Sequence, residues 1–356
     1  MKKYTWRTHK IIKETKDAIT ICFDPGHQKF AYLPGQYLNI RISLNGELLI
    51  RSYSFCSKPS DEFPAITIKR VIGGKMSNFI LDNAADIETW EIEAPFGNFV
   101  LDKSIVEQSE IVLLAGGSGI SPLFSMLKSI ENTNQIPLLV YSNKLPQETI
   151  FWNELETMHT NEKLNICYSF TDPEFISTKI NHIAGRFSLL VLRSVIKRLV
   201  SAVNDAHYYI CGPTGLMDLY KDALTGLKIP EENIHMEYFD PIQIDANDME
   251  TDCTTKDVIV NYYEDNYVND EMQTFECTSL IEVQPRQSLL GAMKAHHIKV
   301  PSSCRKGTCG ACWAVKTGGE IRMLHSGALT EQDIAEGIIL LCQSYPLNAD
   351  VCITVQ

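Results

Sequence analysis

The sequence predicts a multidomain chain: an antiparallel β-barrel, an α/β domain on a parallel sheet, and a third domain that bears a cysteine motif. Three observations carry this. Residues 1–104 alternate apolar and polar positions around a hairpin signal. From 105 onward, short continuous apolar runs alternate with helical stretches. Near the end, Cys304, Cys309 and Cys312 follow a C-x4-C-x2-C spacing, and 29 residues separate Cys312 from Cys342. A chain of 356 residues exceeds one ordinary domain. The expected divisions are 1–104, 105–240, a linker at 241–255, and 256–356.

In the first segment, Tyr37–Ser43 and Leu48–Ser54 alternate on either side of Asn45-Gly46, a dipeptide suited to a type I′ hairpin turn. Ala65–Val71 and Trp90–Glu93 read as further strands. A short helix is expected from Ser77, which precedes Phe79, Ile80 and Leu81 as an N-cap should.

The second segment has another rhythm. Ile111–Ala115, Ile136–Tyr141, Leu164–Phe170 and His207–Cys211 are apolar runs suited to strands buried on both faces. Pro122–Ile130, Thr149–Met158 and Leu189–Ala202 are helical stretches between them. That alternation is the pattern of βαβ units. Residues Pro241–Thr255 are polar, acidic and without period, as a linker would be. Val258–Tyr262 and Gln273–Cys277 then open the third segment as strands.

Four thiolates at the spacing of Cys304, Cys309, Cys312 and Cys342 match the plant-type [2Fe–2S] pattern. Zinc sites present two short ligand pairs, and the sequence has no second pair. Gly307 and Gly310 let the loop wrap closely, so that backbone N–H groups face sulfur. Eleven cysteines, an odd number, make no disulfide scaffold in so large a chain. Cluster spacing instead points to a reducing cytoplasm. Cys22, Cys56, Cys167, Cys253, Cys277 and Cys352 have no motif around them, and most read as small core residues.

Charge excludes some partners. A net charge of −12 opposes binding to nucleic acid. Residues 241–356 hold 8 Lys/Arg and 16 Asp/Glu, so −8 of that charge lies in the third segment. This acidity either steers the segment toward a basic partner surface or serves solubility alone. No run approaches the ~18 apolar residues of a membrane span. Leu189–Val200 comes nearest, and Arg193, Lys197 and Arg198 interrupt it. The lysine-rich start lacks the apolar core of a signal peptide. A soluble, cytoplasmic protein without a membrane partner is expected.

Two strings in the first segment suit an anionic aromatic ligand. Arg51-Ser52-Tyr53-Ser54 sets a guanidinium, a ring and a hydroxyl at a strand end, with Arg51 and Tyr53 on one face. Gly73-Gly74-Lys75-Met76-Ser77 is a glycine turn opening a helix, where free N–H groups and the positive dipole end favour phosphate. Taken singly, each is an ordinary surface strand or turn.

In the second segment, Leu113–Pro122 joins a buried strand to a helix through Gly116-Gly117-Ser118-Gly119. Gly117-x-Gly119 is present, but Pro122 occupies the third glycine position of the usual fingerprint. Ser121 and Pro122 are expected as N-cap and first helical residue. Such a turn lets a pyrophosphate approach the backbone. Tyr209-Ile-Cys-Gly-Pro213 ends a later strand on the same carboxyl edge, which places Cys211 to touch a ligand.

Together these strings resemble the ferredoxin–NADP reductase superfamily, in the branch with a C-terminal plant-type ferredoxin domain. The resemblance covers essentially the whole chain. It rests on Pro34-Gly-Gln-Tyr37, Arg51-x-Tyr-Ser54, Gly74-x-x-Ser77, Pro95-Phe-Gly97, Gly116–Pro122, Cys211-Gly-Pro213, Glu237-Tyr-Phe239 and the four cysteines. Within the superfamily the sequence is similar to reductase subunits of phenylacetyl-CoA epoxidase and of multicomponent oxygenases. One departure, Ala85-Asp86 where relatives often have Gly-Asp, is a turn difference.

The resemblance implies a flavin-binding barrel, an NAD(P)-binding α/β domain and a β-grasp ferredoxin domain. By position, Arg51 would bind the flavin phosphates, Tyr53 would pack on the isoalloxazine, and Ser54 would hydrogen-bond near its N5. Gly74 and Ser77 would hold the pyrophosphate. Gly117, Gly119 and Pro122 would seat the dinucleotide, and Cys211 would lie near the nicotinamide C4. Glu237 and Phe239 would sit beside the flavin. FAD is the usual flavin for this domain order.

The nicotinamide donor is read at the end of the second parallel strand. An acid there would accept a ribose hydroxyl and repel a 2′-phosphate. Tyr141-Ser142-Asn143-Lys144 offers a hydroxyl and a cation instead, which favours NADPH over NADH. The expected protein is thus an oxidoreductase that moves hydride from NADPH to FAD and single electrons through the cluster to an electron-acceptor protein, an oxygenase such as phenylacetyl-CoA epoxidase. The competing readings keep another acceptor, such as a hybrid-cluster protein, or a redox sensor without turnover.

Overall fold

The computed structural model describes residues 2–44, 46–131, 133–172, 182–239, 254–268, 271–302, 305, 307 and 309–355. They form two compact units: the smaller comprises the third sheet together with Leu49–Arg51 and Phe96–Asn98, and the larger carries the rest of the first two sheets.

The first sheet comprises β1 (Lys2–Thr15), β2 (Ala18–Asp24), β3 (Tyr37–Leu44), β4 (Glu47–Ser54), β5 (Ala65–Lys69) and β6 (Thr89–Phe96), in the order β4-β3-β6-β1-β2-β5. Strand β1 pairs antiparallel with β2 and β6, and β2 with β5. The ends of the row meet: Phe55, just past β4, bridges Ile66 on β5 and curls the sheet into a barrel. Trp6, Phe23, Leu38, Ile40, Phe55, Ile66 and Trp90 are buried and fill its interior. Of the expected hairpin dipeptide, Gly46 has φ +79, and Asn45 lies outside the described residues.

Helix α1 (Lys75–Asn83) begins three residues before the expected start, its cap being Gly74 instead of Ser77. Gly73 turns the chain with φ +72 and Gly74 caps the helix, so Ser77 falls in the first turn rather than at the cap. Its Oγ accepts from the Val71 N–H at 3.1 Å. A Cβ at Gly74 would lie 2.7 Å from that same oxygen, so only glycine admits this early start.

The second sheet follows α2 (Lys103–Gln108). In chain order come β7 (Ile111–Gly116), α3 (Ile120–Ile130), β8 (Leu138–Asn143), α4 (Trp152–Thr160), β9 (Asn165–Phe170), β10 (His182–Ala184), α5 (Leu189–Leu199), β11 (His207–Gly212), α6 (Thr214–Gly226) and β12 (Ile234–Tyr238). The sheet order is β10-β9-β8-β7-β11-β12, with parallel pairing throughout. Both faces are covered: Leu113, Ala115, Tyr209 and Cys211 join one core, while Val112, Leu114, Tyr208 and Ile210 join another.

Among the boundaries that differ from expectation, three bear on the site or have a clear local cause. Ile136 is 52% exposed and precedes β8, because Pro137 offers no N–H to a ladder. Helix α4 starts at Trp152, after a 3-10 turn at Pro146–Glu148 and a left-handed Phe151. Helix α3 starts at Ile120, capped by Gly119, directly after a 3-10 turn at Gly117–Gly119. Ser121 and Pro122 are therefore its second and third residues. Proline is tolerated there because first-turn N–H groups have no intrahelical acceptor.

The third sheet contains β13 (Lys256–Val268), β14 (Glu271–Val283), β15 (Trp313–Gly318), β17 (Ile338–Leu340) and β19 (Val351–Val355), ordered β14-β13-β19-β15-β17. A separate ribbon pairs β16 (Ile321–Met323) with β18 (Ser344–Pro346). Helix α7 (Leu289–Ala295) is capped by Ser288, whose Oγ accepts from Gly291 N–H. It buries Leu289, Leu290 and Met293 with Val258, Val260, Ile281 and Ile353 of the sheet. A sheet gripping one helix is the β-grasp arrangement. Helix α8 (Glu331–Ala335) carries a Thr330–Asp333 capping box. Residues 241–253 of the expected linker lie outside the described residues. Among the described residues, no helix is long and apolar enough to cross a membrane.

Candidate active site

Strand order reverses at β7, which has β8 on one side and β11 on the other. In open parallel sheets the crevice beyond the carboxyl ends at such a point receives ligands. Both expected nucleotide strings end there. A Cβ on Gly119 would sit 2.3 Å from the Cys211 carbonyl oxygen, and one on Gly116 would sit 2.5 Å from the Leu216 side chain. The glycine turn is thus packed directly on the end of β11. Gly117 differs: its φ is +51, and nothing lies within 4 Å of where a Cβ would stand. Tyr141 Oη donates to the Gly117 carbonyl at 2.9 Å and fixes that turn from β8.

Ser121 is buried, and its hydroxyl has no protein partner. Buried polar atoms are normally satisfied, so a glycine cradle with an open side and an orphan hydroxyl fits a dinucleotide. Asn143, at the end of β8, is buried too, with its amide against the Tyr141 hydroxyl. Asn143 is not singled out by the sequence, where the Ser142 hydroxyl and the Lys144 charge are the local signals. Ser142 is buried and Lys144 is exposed at the same strand end.

The structure brings Ser54, Cys211 and Glu237 together. Ser54 ends β4, is buried, and donates to Glu237 Oε2 at 3.4 Å. Glu237 on β12 pairs in register with Cys211 on β11. Burial pushes the Cys211 thiol well above its ordinary range; the Glu237 charge adds to this and the Gly212 N–H opposes it. Glu237 is half-buried as a residue, yet its carboxyl is dry enough that burial pushes it up to about 8, against a lowering by Ser54. At neutral pH the thiol is neutral and the carboxyl mostly protonated. This surface carries little charge and can hold or release one proton.

The expected flavin residues line up along β4 and the start of α1. Arg51 is exposed, and its Nη1 donates to the Ile50 carbonyl at 2.8 Å. Tyr53 is half-buried and Ser54 buried, as alternation requires. Helix α1 has no side-chain cap, so its leading N–H groups suit a phosphate. Phe239 follows β12 and is 45% exposed.

In the third sheet's unit, Cys309, Cys312 and Cys342 are all buried. A hydrogen bond between the Cys312 thiol and the Cys342 sulfur, followed by burial, pushes Cys312 far above the ordinary thiol range. Arg305, Gly307 and Gly310 take left-handed φ of +57, +76 and +66. The loop therefore wraps as a cluster loop must, and three soft donors gathered out of water fit iron–sulfur ligation. The fourth expected ligand, Cys304, lies outside the described residues. Among those residues, no three Cys, His, Asp or Glu side chains close on a metal ion by themselves.

Known proteins share these three regions in the same order. Residues 7–101 match the oxidoreductase FAD-binding domain, 113–222 the oxidoreductase NAD-binding domain, and 269–347 the 2Fe-2S iron-sulfur cluster binding domain. The chain is therefore a ferredoxin reductase-type oxidoreductase built to use FAD, a nicotinamide dinucleotide and a [2Fe–2S] cluster.

Full-length relatives narrow this further. The glycine betaine monooxygenase reductase subunit of Pseudomonas aeruginosa is 30% identical, covering 98% of this chain and 94% of its own. The ferredoxin reductase component of 3-ketosteroid-9-alpha-monooxygenase from Mycobacterium tuberculosis is also 30% identical, over 97% and 94%. A subunit of the 1,2-phenylacetyl-CoA epoxidase of Escherichia coli is 26% identical, over 97% and 95%. The solved structure of phthalate dioxygenase reductase shares the fold, with a TM-score of 0.59 at 22% identity over 99% of this chain and 98% of that one. The chain belongs to the ferredoxin–NADP reductase superfamily, in the branch with a C-terminal plant-type ferredoxin domain.

Proposed function

We propose that this protein is the reductase component of a multicomponent oxygenase, taking hydride from NADPH and delivering single electrons to its oxygenase partner in the cytoplasm. The convergence of Ser54, Cys211 and Glu237 beside the glycine-cradled edge carries this reading. The names of the relatives, which are subunits or components of two monooxygenases and an epoxidase, support the partner class.

Bound flavin supplies the conversion of a two-electron hydride into single electrons, and the bound cluster accepts them one at a time. The chain's own residues bind and orient. Arg51 and the first turn of α1, with Gly74 and Ser77, hold the flavin phosphates, and Tyr53 packs on its ring. Gly117, Gly119 and Pro122 seat the dinucleotide, with Ser142 and Lys144 at its ribose. Cys211 keeps water from the reacting carbon. Ser54 orients Glu237, which holds a proton beside the flavin, and Phe239 covers that side. Cys304, Cys309, Cys312 and Cys342 ligate the cluster. The working divisions are 1–104 for flavin, 105–240 for nucleotide, a 241–255 linker and 256–356 for the cluster.

Anaerobic titration of the reconstituted protein with NADPH tests this. Flavin absorbance should bleach and the cluster's electron paramagnetic resonance signal should grow in. A candidate oxygenase component should then reoxidise both. Failure to take up either group, or flavin reduction that never reaches the cluster, would sink the reading.

A further inference from the structure

Strands β11 and β12 carry more than the Cys211–Glu237 pair. Their parallel register also sets Tyr209 beside His235, two residues earlier. Alternation puts all four side chains on one face of the sheet. His235 is held there from two sides. Its ring stacks on the fully buried Tyr209 ring, with centroids 4.5 Å apart and planes 19° apart. Its Nε2 lies 3.0 Å from His207 Nδ1.

The two imidazoles are 12° from parallel with centroids 5.3 Å apart. That distance is the nitrogen separation plus the two ring radii, so the rings lie end to end rather than face to face. They share one N–H···N bond, in which one ring donates and the other accepts. Burial, then the neighbouring His207, pushes His235 down to about 4, and burial also lowers His207. The bond therefore survives at neutral pH. Phe99 meets Tyr209 edge-on at 5.8 Å, while the buried Tyr209 hydroxyl has no partner.

Among the described residues, β12 is an edge strand that pairs with β11 alone. With no described ladder on its outer side, side chains supply the constraint on its lie.

We infer that His235, clamped between Tyr209 and His207, is a positioning residue for hydride transfer: it holds edge strand β12 where Glu237 meets Ser54 and Cys211. This rests on the reading of Glu237 given above.

The test is stopped-flow reduction of the flavin by NADPH across pH, in the full-length reconstituted protein. His235→Leu should lower the limiting rate by roughly tenfold or more, since small displacements at a reacting centre cost about that much. The half-saturating NADPH concentration and the flavin content should stay as in the parent. The alkaline limb of the rate profile, set by Glu237, should shift toward the ordinary carboxyl range. His207→Leu should act in the same direction, and His207→Gln, which keeps a hydrogen-bonding group, should recover most of the rate. If His235→Leu loses flavin, the two His207 variants decide. Parental rates and limbs in both leucine variants, while Glu237→Gln is slow and lacks the limb, would overturn this inference alone. A Glu237→Gln variant with a parental profile would overturn the reading of Glu237 and this inference with it.

Discussion

The Ser54 hydroxyl donates to Glu237 Oε2 at 3.4 Å across 183 residues of sequence, tying the end of a barrel strand to the edge strand of the parallel sheet. This one contact joins the two expected ligand regions; it favours the carboxylate, yet burial outweighs it and keeps the Glu237 proton near neutral pH.

Glu237 should make stability depend on pH. Its carboxyl rises from 4.5 to about 8 in the folded chain, so between those values the folded state binds a proton that the unfolded state has released. The contribution is fully present below the lower value and is lost as pH rises through the upper one. The melting temperature of the parent, relative to Glu237→Gln, should fall across that window and be flat outside it. A difference independent of pH would show that the carboxyl is solvated.

Gly119 and Gly117 should respond differently to alanine. At Gly119 the new Cβ meets the Cys211 carbonyl at 2.3 Å, and backbone cannot yield cheaply, so a loss of about 3 kcal/mol or more is expected. At Gly117 there is room, and only the φ of +51 is penalised, about 1–2 kcal/mol. Urea denaturation of both variants checks the ranking; equal losses would count against the packed turn.

Cys309→Ser should remove the cluster's visible absorbance while NADPH still bleaches the flavin. Cys309 is buried in the smaller unit, and the dinucleotide edge is built by the larger. Loss of flavin reduction in a folded variant would contradict that separation.

Arg51→Ala should weaken flavin retention through gel filtration, since the guanidinium is exposed at the end region of β4 and a guanidinium suits phosphate. Full flavin content in the variant would remove Arg51 from the phosphate site.

Lys144→Glu should raise the half-saturating concentration of NADPH far more than that of NADH. Lys144 is exposed just past β8, where a carboxylate would repel a 2′-phosphate. Equal effects on both donors would leave the choice of donor to other groups, Asn143 first among them.

Much of the site was legible because its chemistry is written in short strings. Glycines at 74, 117 and 119 and the cysteine spacing state backbone and ligand requirements that few other folds share. The parallel strands were visible because burial on both faces leaves continuous apolar runs. Strand β1 was not, since its fourteen residues include four lysines and its outer face is largely exposed. Helix starts were displaced wherever glycine, rather than a hydroxyl, did the capping, as at Gly74 and Gly119. The meeting of Ser54 with Glu237, and the clamp on His235, depend on which strands become neighbours, and no local pattern encodes that.

The contrast within the glycine turn bears on how this reductase can diversify. Positions 116 and 119 are walled in by Leu216 and by the Cys211 backbone, whereas 117 faces empty space. Replacement at 119 therefore requires the neighbouring strand to be rebuilt, whereas at 117 the cost is confined to holding a side chain at a left-handed φ of +51.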